Sequence, residues 1–349
     1  ALRPASKTGS RHSMEDAAGD AIVARARGCM LGLMVGDALG AAVEGFPREE
    51  IRDIAQDRWG CNTIEGFIAA VHMGTYVPAG EPGQYRPAVQ VRDCNFVPVG
   101  PPKNDNTAKH CARTGMYTDD TTAALALASS IVECGGVDPA HAARSCAELF
   151  RDNEAFRGCP PTAKRTLEKI LEGVPPEETG LPPHFPFEGG SFANGGAMRI
   201  SPLAVAFRGA GPEALRRAVV AAVLASHRHP EAVDFAVVQA AAVQYALTVT
   251  PETFDSHALL EDLIGRCESD GMQVAVRATA EALRSFQQAP QPAADHEWII
   301  LRDILRSLPR PGSGMAFQIA SVHMAPCVLW AACRYHSDPR AAVSMATDL

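Results

Sequence analysis

Two adjacent carboxylates stand at the start of a strongly apolar segment of this 349-residue chain. The run Thr118-Asp119-Asp120-Thr121 offers oxygen-bearing side chains within about one helical turn. Oxygen ligands of this kind suit a hard cation such as magnesium or calcium. The same residue types are also typical of a helix N-terminus, where they accept hydrogen bonds from free N–H groups and complement the helix dipole. The run therefore predicts a capped helix, a cation site, or both.

A glycine-rich segment, Gly189 to Arg199, is the second candidate for chemistry and reads GGSFANGGAMR. Small residues let backbone N–H groups approach an anion such as a phosphate, and Ser191 and Asn194 add side-chain donors. The segment matches neither a Walker A loop nor GxGxxG, and Ala193 breaks the G-x-S-x-G pattern. The alternative is an ordinary glycine-rich turn that opens a helix.

Two further positions carry ionisable groups at the ends of predicted helices. In Ser226-His227-Arg228-His229 the histidines could stack on a nucleobase, bind a metal or cap the preceding helix. Asp37 lies among apolar residues, where an ionised carboxylate needs a partner, so we expect an ion pair or a capping bond. Glu44 stands at the exit of the same predicted helix beside Gly45, where a carboxylate can face a cleft.

The composition argues against several classes of protein. A net charge of −8 without a Lys/Arg cluster disfavours nucleic acid as the main partner. The ten cysteines form no CxxC pair, which favours reduced, buried thiols over zinc sites, although a disulfide between Cys94 and Cys111 stays open. The longest apolar run, residues 29–43, is interrupted by Asp37 and is too short for a membrane span.

The elements that must position these residues are helical nearly everywhere, and we predict a single all-α domain over residues 16–349. Helices are predicted over residues 16–43, 119–134, 138–152, 161–173, 212–227, 230–248, 257–269, 271–288, 295–308 and 315–336. The proline-rich residues 75–117 predict a long loop that acts either as a lid over the acidic run or as a linker. Residues 1–15 predict a disordered tail, a tag or the remnant of a targeting segment.

Taken together, the motifs resemble the ADP-ribosylglycohydrolase family, which includes dinitrogenase reductase-activating glycohydrolases and enzymes that remove ADP-ribose from arginine or serine. The resemblance runs from about Gly28 to the last residue. It is carried by GCMLGLMVGDALG (28–40) with Glu44, by the Thr118 run, by residues 190–199, and by Ser226-His227. It implies an all-helical fold and a pair of divalent cations, usually Mg²⁺.

The resemblance also implies roles for individual residues. Thr118, Asp119 and Asp120 would be metal ligands, and Glu44 would join the two aspartates as catalytic carboxylates, close to the scissile bond. The ADP-ribose would be held by Gly190, Ser191, Phe192, Asn194, Gly195, His227 and Phe187. A cation would polarise the ribose or orient the attacking water, and a carboxylate would activate that water as positive charge develops at the anomeric carbon.

The resemblance is incomplete at one end of the chain. Family members typically carry a second acidic motif, Gly-Asp-Thr-Asp-Thr, near the position where this sequence ends at Leu349. We therefore expect a chain truncated at its C-terminus, or a form that lacks half of its metal ligands. The functional alternative to a magnesium-dependent hydrolase is thus an ADP-ribose-binding or structural member with weak or no catalysis.

The expected partners follow from the same reading. We expect ADP-ribose or an ADP-ribosylated protein as partner, no nucleic acid, no membrane, and a monomer. We expect a cytoplasmic location, with an organellar one as the alternative because the first thirteen residues contain three basic and no acidic side chains.

Overall fold

The fold is all-α, as predicted, in a computed structural model of the chain. The structure describes residues 9–41, 43, 48–67, 69–70, 76–78, 85–87, 96–98, 111–115, 117–153, 161–288, 295–309 and 319–348. The helices within these ranges are α1 Gly9–Gly40, α2 Arg48–Trp59, α3 Asp119–Cys134, α4 Pro139–Asn153, α5 Pro161–Leu171, α6 Pro176–Thr179, α7 Ser201–Ala206, α8 Pro212–Val223, α9 Pro230–Thr248, α10 Ser256–Arg266, α11 Asp270–Gln288, α12 His296–Ser307, α13 Ser321–Arg334 and α14 Pro339–Thr347.

Four of these helices, α2, α6, α7 and α14, are not predicted from the sequence. Helices α6 and α7 span only 4 and 6 residues, too few for an amphipathic period. Helix α2 is mostly charged and buries little more than Ile51 and Ala55, which pack against Val43 and Ile64. The sequence predicts a tail over residues 1–15. In the structure α1 begins at Gly9, so the backbone of residues 9–15 is helical.

The core is built around α9, which is apolar on nearly all sides. Its residues from Phe235 to Val238 are at most 3% exposed, as expected for a helix surrounded by others. Helices α7, α8, α10 and α13 pack against it. Helix α13 also packs along α11, where the fully buried Trp330 ring meets Phe286 edge-on at 5.4 Å.

Short strands occur where the sequence predicts an irregular loop. Strands β1 Ala69–Ala70, β4 Phe96–Pro98 and β5 Cys111–Thr114 form one antiparallel sheet in the order β1-β5-β4, and β2 Tyr76–Pro78 pairs with β3 Tyr85–Pro87. Strands of two to four residues are too short to give a readable alternation, which explains the error. The other residues of the predicted 75–117 lid are, apart from Gly115 and Tyr117, outside the described ranges.

The free thiols of the described residues are those of Cys29, Cys61, Cys134, Cys146, Cys267, Cys327 and Cys333. Cys94 and the side chain of Cys111 are not described, so their disulfide stays a prediction. Burial raises the pKa of the Cys327 and Cys333 thiols to about 12, so both stay protonated and inert. Cys134 is exposed, contrary to the predicted burial, because α3 turns its last residues to solvent. No helix among the described residues is long and apolar enough to cross a membrane.

A buried carboxylate joins three helices of the core. Asp234 on α9 is 1% exposed and accepts hydrogen bonds from the Arg216 guanidinium of α8. It also accepts from the N–H groups of Glu268 and Ser269 and from the Ser269 hydroxyl, directly before α11. One side chain thus neutralises a cation and caps a helix.

We expect Asp234→Ala to lower the free energy of unfolding by about 3–5 kcal/mol, because two N–H groups lose their acceptor and the largely buried Arg216 guanidinium keeps only the Arg266 carbonyl and the exposed Glu268 as partners. The control Asp262→Ala removes an exposed pair with Arg266 one turn away in α10, and should cost less than about 0.5 kcal/mol. Urea denaturation followed by circular dichroism measures both. Equal losses would contradict the role of Asp234.

Candidate functional site

The first turn of α3 is held by a carboxylate from another helix. Asp37 of α1 accepts from the Thr118 N–H at 2.9 Å and from the Thr121 N–H at 3.0 Å. The hydroxyls of Thr118 and Thr121 donate to the same carboxylate at 2.8 and 2.6 Å. The expected capping role of Asp37 is confirmed, and Thr118 is the N-cap residue of α3.

Asp119 and Asp120 follow directly in the first turn of α3. Burial raises the pKa of Asp120 to about 7, and the negative charge of Asp37 acts in the same direction. The Thr118 hydroxyl and the amide N–H of Asp120 oppose this rise. Asp119 and Asp120 therefore place two carboxyl groups at the N-terminus of α3. The positive end of the helix dipole offsets their negative charge only in part.

The glycine-rich segment folds as a turn followed by one turn of 3-10 helix, Asn194–Gly196. Gly190 has φ +77°, and a Cβ there would lie 2.9 Å from the Cβ of Arg228, so glycine is required. The Ser191 hydroxyl accepts from the Ala193 N–H at 3.2 Å, and the Asn194 N–H donates to the Ile319 carbonyl. One of these hydrogen bonds lies within the segment and the other joins it to Ile319, so together they fix its conformation and its position.

The loop that follows α8 meets this segment through His227. A Cβ at Gly195 would lie 2.7 Å from Nε2 of His227, so the bare backbone and the imidazole are in close contact. Nδ1 of His227 is 2.8 Å from the Ser226 hydroxyl. Burial, together with the charge of Arg199, lowers the pKa of His227 to about 3, which keeps the ring neutral at physiological pH.

Arg199 connects the acidic run to this corner. Its guanidinium donates to the Ser226 hydroxyl at 2.6 Å. Burial lowers the pKa of Arg199, while the charges of Cys146 and Asp119 act in the opposite direction. Arg199, Ser226 and His227 therefore form one hydrogen-bonded chain between two separate segments, and Asp119 acts on its guanidinium through charge. Spacing in the sequence gives no sign of the Arg199–Ser226 bond.

Aromatic rings border the glycine-rich segment. The Phe192 ring lies 5.7 Å from Phe187 and 6.3 Å from His229. Phe187 is 42% exposed, whereas Ser191 is buried. His229 also accepts from the Glu231 N–H through Nδ1 and so caps α9. The resemblance implies Phe187 and Phe192 as binding residues. The sequence offers His229 for stacking, for metal binding or for capping the preceding helix, but the structure shows it capping the following helix, α9.

Glu44 is the predicted site residue that the structure leaves undescribed; it falls between Val43 and Arg48 in the chain. Among the residues that are described, no group of three or more His, Cys, Asp or Glu side chains is arranged to hold a metal ion.

The chain matches the family model of ADP-ribosylglycohydrolase over residues 18–349. Three curated relatives are each 28% identical: an uncharacterised protein of Archaeoglobus fulgidus over 243 residues, the uncharacterised protein YegU of Escherichia coli over 226, and the ADP-ribosylhydrolase ARH3 of Gallus gallus over 250. The alignments cover 70%, 64% and 70% of this chain, and 61%, 54% and 55% of the relatives. The chain thus spans little more than half of their length.

A solved structure supports the fold alone. The ADP-ribosylglycohydrolase-related protein complex contains a chain that is 22% identical to this one and superposes with a TM-score of 0.52. The match covers 93% of this chain and 80% of that chain.

Because the His227 ring packs against Gly195, a substitution at position 195 tests what lowers the pKa of this histidine. By NMR, we expect the His227 ring protons of the parent protein to show no titration between pH 5 and 8, because the pKa is about 3. Gly195→Ala should push the imidazole outwards and raise this pKa towards the usual value of about 6.5. Gly265→Ala, where the described residues leave space for a Cβ, is the control. Titration of the parent ring near neutral pH would contradict the packing.

The raised pKa of Asp120 predicts a pH-dependent stability. A carboxyl whose folded-state pKa is raised to about 7 contributes stability at low pH that is lost as the pH rises towards and through 7. In EDTA at pH 8, Asp120→Asn should therefore raise the free energy of unfolding by about 1–3 kcal/mol, and the gain should vanish towards pH 4. Denaturation at both pH values measures it, and a gain independent of pH would argue against the charge as its cause.

Proposed function

Because this chain belongs to the ADP-ribosylglycohydrolase family, we propose that it is a magnesium-dependent hydrolase. It would cleave the glycosidic bond between ADP-ribose and a protein side chain or a small conjugate, and so reverse ADP-ribosylation. The observation that carries the proposal is the hydrogen-bonded chain Arg199–Ser226–His227 against the glycine-rich segment, whose guanidinium is acted on by the charge of Asp119 in the acidic run. We propose the monomeric state and the cytoplasmic location that the sequence predicts.

The residues at the start of α3 fit a hard cation. Thr118, Asp119 and Asp120 offer oxygen donors only, which is the ligand set that Mg²⁺ prefers. Asp120 has a raised pKa because it is buried beside the charge of Asp37, and a cation bound there would offset both effects. We propose that these three side chains hold the metal. A bound Mg²⁺ would supply Lewis-acid stabilisation at the ribose.

The glycine-rich segment is suited to the phosphates of ADP-ribose. After Gly190 in its left-handed conformation, the consecutive N–H groups of Ser191 and Phe192 donate to no other group of the described residues. Consecutive free N–H groups beside a left-handed residue form an anion-binding nest. With Asn194 and the bare backbone of Gly195, this segment would hold the pyrophosphate.

The remaining contacts divide between the two ends of the substrate. Phe187 and Phe192 present ring faces beside the nest, on which an adenine could stack. A neutral His227 adds no charge near the phosphates, and Nε2 is the ring nitrogen that the Ser226 hydroxyl does not engage. Glu44 is proposed as the base that removes a proton from the attacking water, with Asp119 and Asp120 completing the catalytic carboxylates.

We expect the purified protein to release ADP-ribose from at least one of a panel of Arg-, Ser- and O-acetyl-linked substrates, and only with Mg²⁺. Asp119→Ala and Asp120→Ala should each lower kcat/KM by at least about 100-fold, since each removes a direct metal ligand. The exposed Asp303→Ala should retain full activity. Chromatographic detection of free ADP-ribose measures turnover.

Two outcomes would count against this proposal. Full turnover by both α3 variants would remove the metal assignment. Calorimetric binding of ADP-ribose by folded protein, with no turnover on any substrate of the panel, would favour a binding member of the family instead.

A further inference from the structure

The Asp37 carboxylate imposes an orientation on the hydroxyl of Thr118. Oδ1 of Asp37 receives this hydroxyl at 2.8 Å, while Oδ2 receives the N–H and hydroxyl of Thr121. Oδ2 of Asp120 lies 3.3 Å from the same Thr118 oxygen. A hydroxyl carries one proton, and the contact to Asp37, which is shorter by about 0.5 Å, assigns that proton to Asp37.

The consequence is a pair of oxygen atoms with no proton between them. When Asp120 is ionised, as a metal ligand must be, Oγ1 of Thr118 and Oδ2 of Asp120 face each other with lone pairs only, at 3.3 Å. With magnesium–oxygen bonds of about 2.1 Å, two neighbouring ligands in octahedral geometry lie about 3.0 Å apart. The observed separation is close to that of two ligands of one ion.

We propose that Asp37 is a positioning residue for the metal site. By accepting the hydrogen bond of the Thr118 hydroxyl, it directs the hydroxyl proton away from Asp120 and leaves the Thr118 oxygen available as a ligand. This inference rests on the proposed function, because it needs a cation beside Thr118 and Asp120. Asp37 need not touch the ion. Its effect passes through the direction of a single O–H bond.

Asparagine at position 37 reverses this direction. Its NH₂ group cannot face Thr121, where an N–H and a hydroxyl both require an acceptor. The amide therefore places its NH₂ at the Oδ1 position, next to Thr118. The Thr118 oxygen must then accept a hydrogen bond from this NH₂ group. Its own proton turns towards Asp120 and lies between the two oxygens that would bind the cation.

The test compares Asp37→Asn with Thr121→Val in the full-length protein. Both variants remove hydrogen bonds between α1 and α3, but only the first changes the Thr118 hydroxyl. We expect Asp37→Asn to weaken Mn²⁺ binding about 10- to 100-fold, as loss of an outer-sphere partner does. Thr121→Val should stay within about threefold of the parent. Electron paramagnetic resonance measures free Mn²⁺, and thermal melts measure stability.

Unchanged Mn²⁺ affinity in Asp37→Asn overturns the inference, and so does an equal loss in Thr121→Val, since both would leave Asp37 a helix cap only. If the parent protein itself binds no Mn²⁺, the metal in the proposed function fails first, which separates the two failures. Neutron diffraction of the parent is independent of how the variants fold. A Thr118 deuteron directed at Asp37 supports the inference, and one directed at Asp120 overturns it.

Discussion

The capping of α3 by Asp37 is the interaction on which the rest of the candidate site depends. A carboxylate from α1 satisfies two N–H groups and two hydroxyls at the start of α3, so two helices separated by about eighty residues in the chain share one junction. The junction fixes where Asp119 and Asp120 emerge. It also places a second negative charge beside them, and this charge contributes to the raised pKa of Asp120.

From this junction the site extends by contacts that leave little freedom. Arg199 donates to the Ser226 hydroxyl, and Gly195 allows the His227 ring to rest on bare backbone. Each contact is made at the end of a helix or in the turn beside it. The helix bodies behind them, α9 above all, are packed on nearly every side. The fold thus keeps polar backbone groups available at the helix ends of the candidate site, while the packed helix bodies provide its stability.

The sequence predicts the parts of the site that are local in the chain. Thr118 as a cap and the need of Asp37 for a partner follow from residue type and neighbours, and the all-α class follows from helical periodicity. The Arg199–Ser226 bond and the ring of His229 beside Phe192 depend on how distant segments fold together, so no pattern along the chain reveals them. Helix α2 is not predicted because only Ile51 and Ala55 of its described residues are buried, in a small cluster outside the main core.

The same geometry that would suit a ligand has a cost for folding. Burial beside the charge of Asp37 raises the pKa of Asp120 towards neutrality, so the ionised form of this carboxyl is disfavoured. Capping does not require this carboxyl, since Thr118 and Asp37 already satisfy the end of α3. Buried carboxyl groups held in this way are characteristic of functional sites, which supports the proposal that the acidic run has a role besides capping.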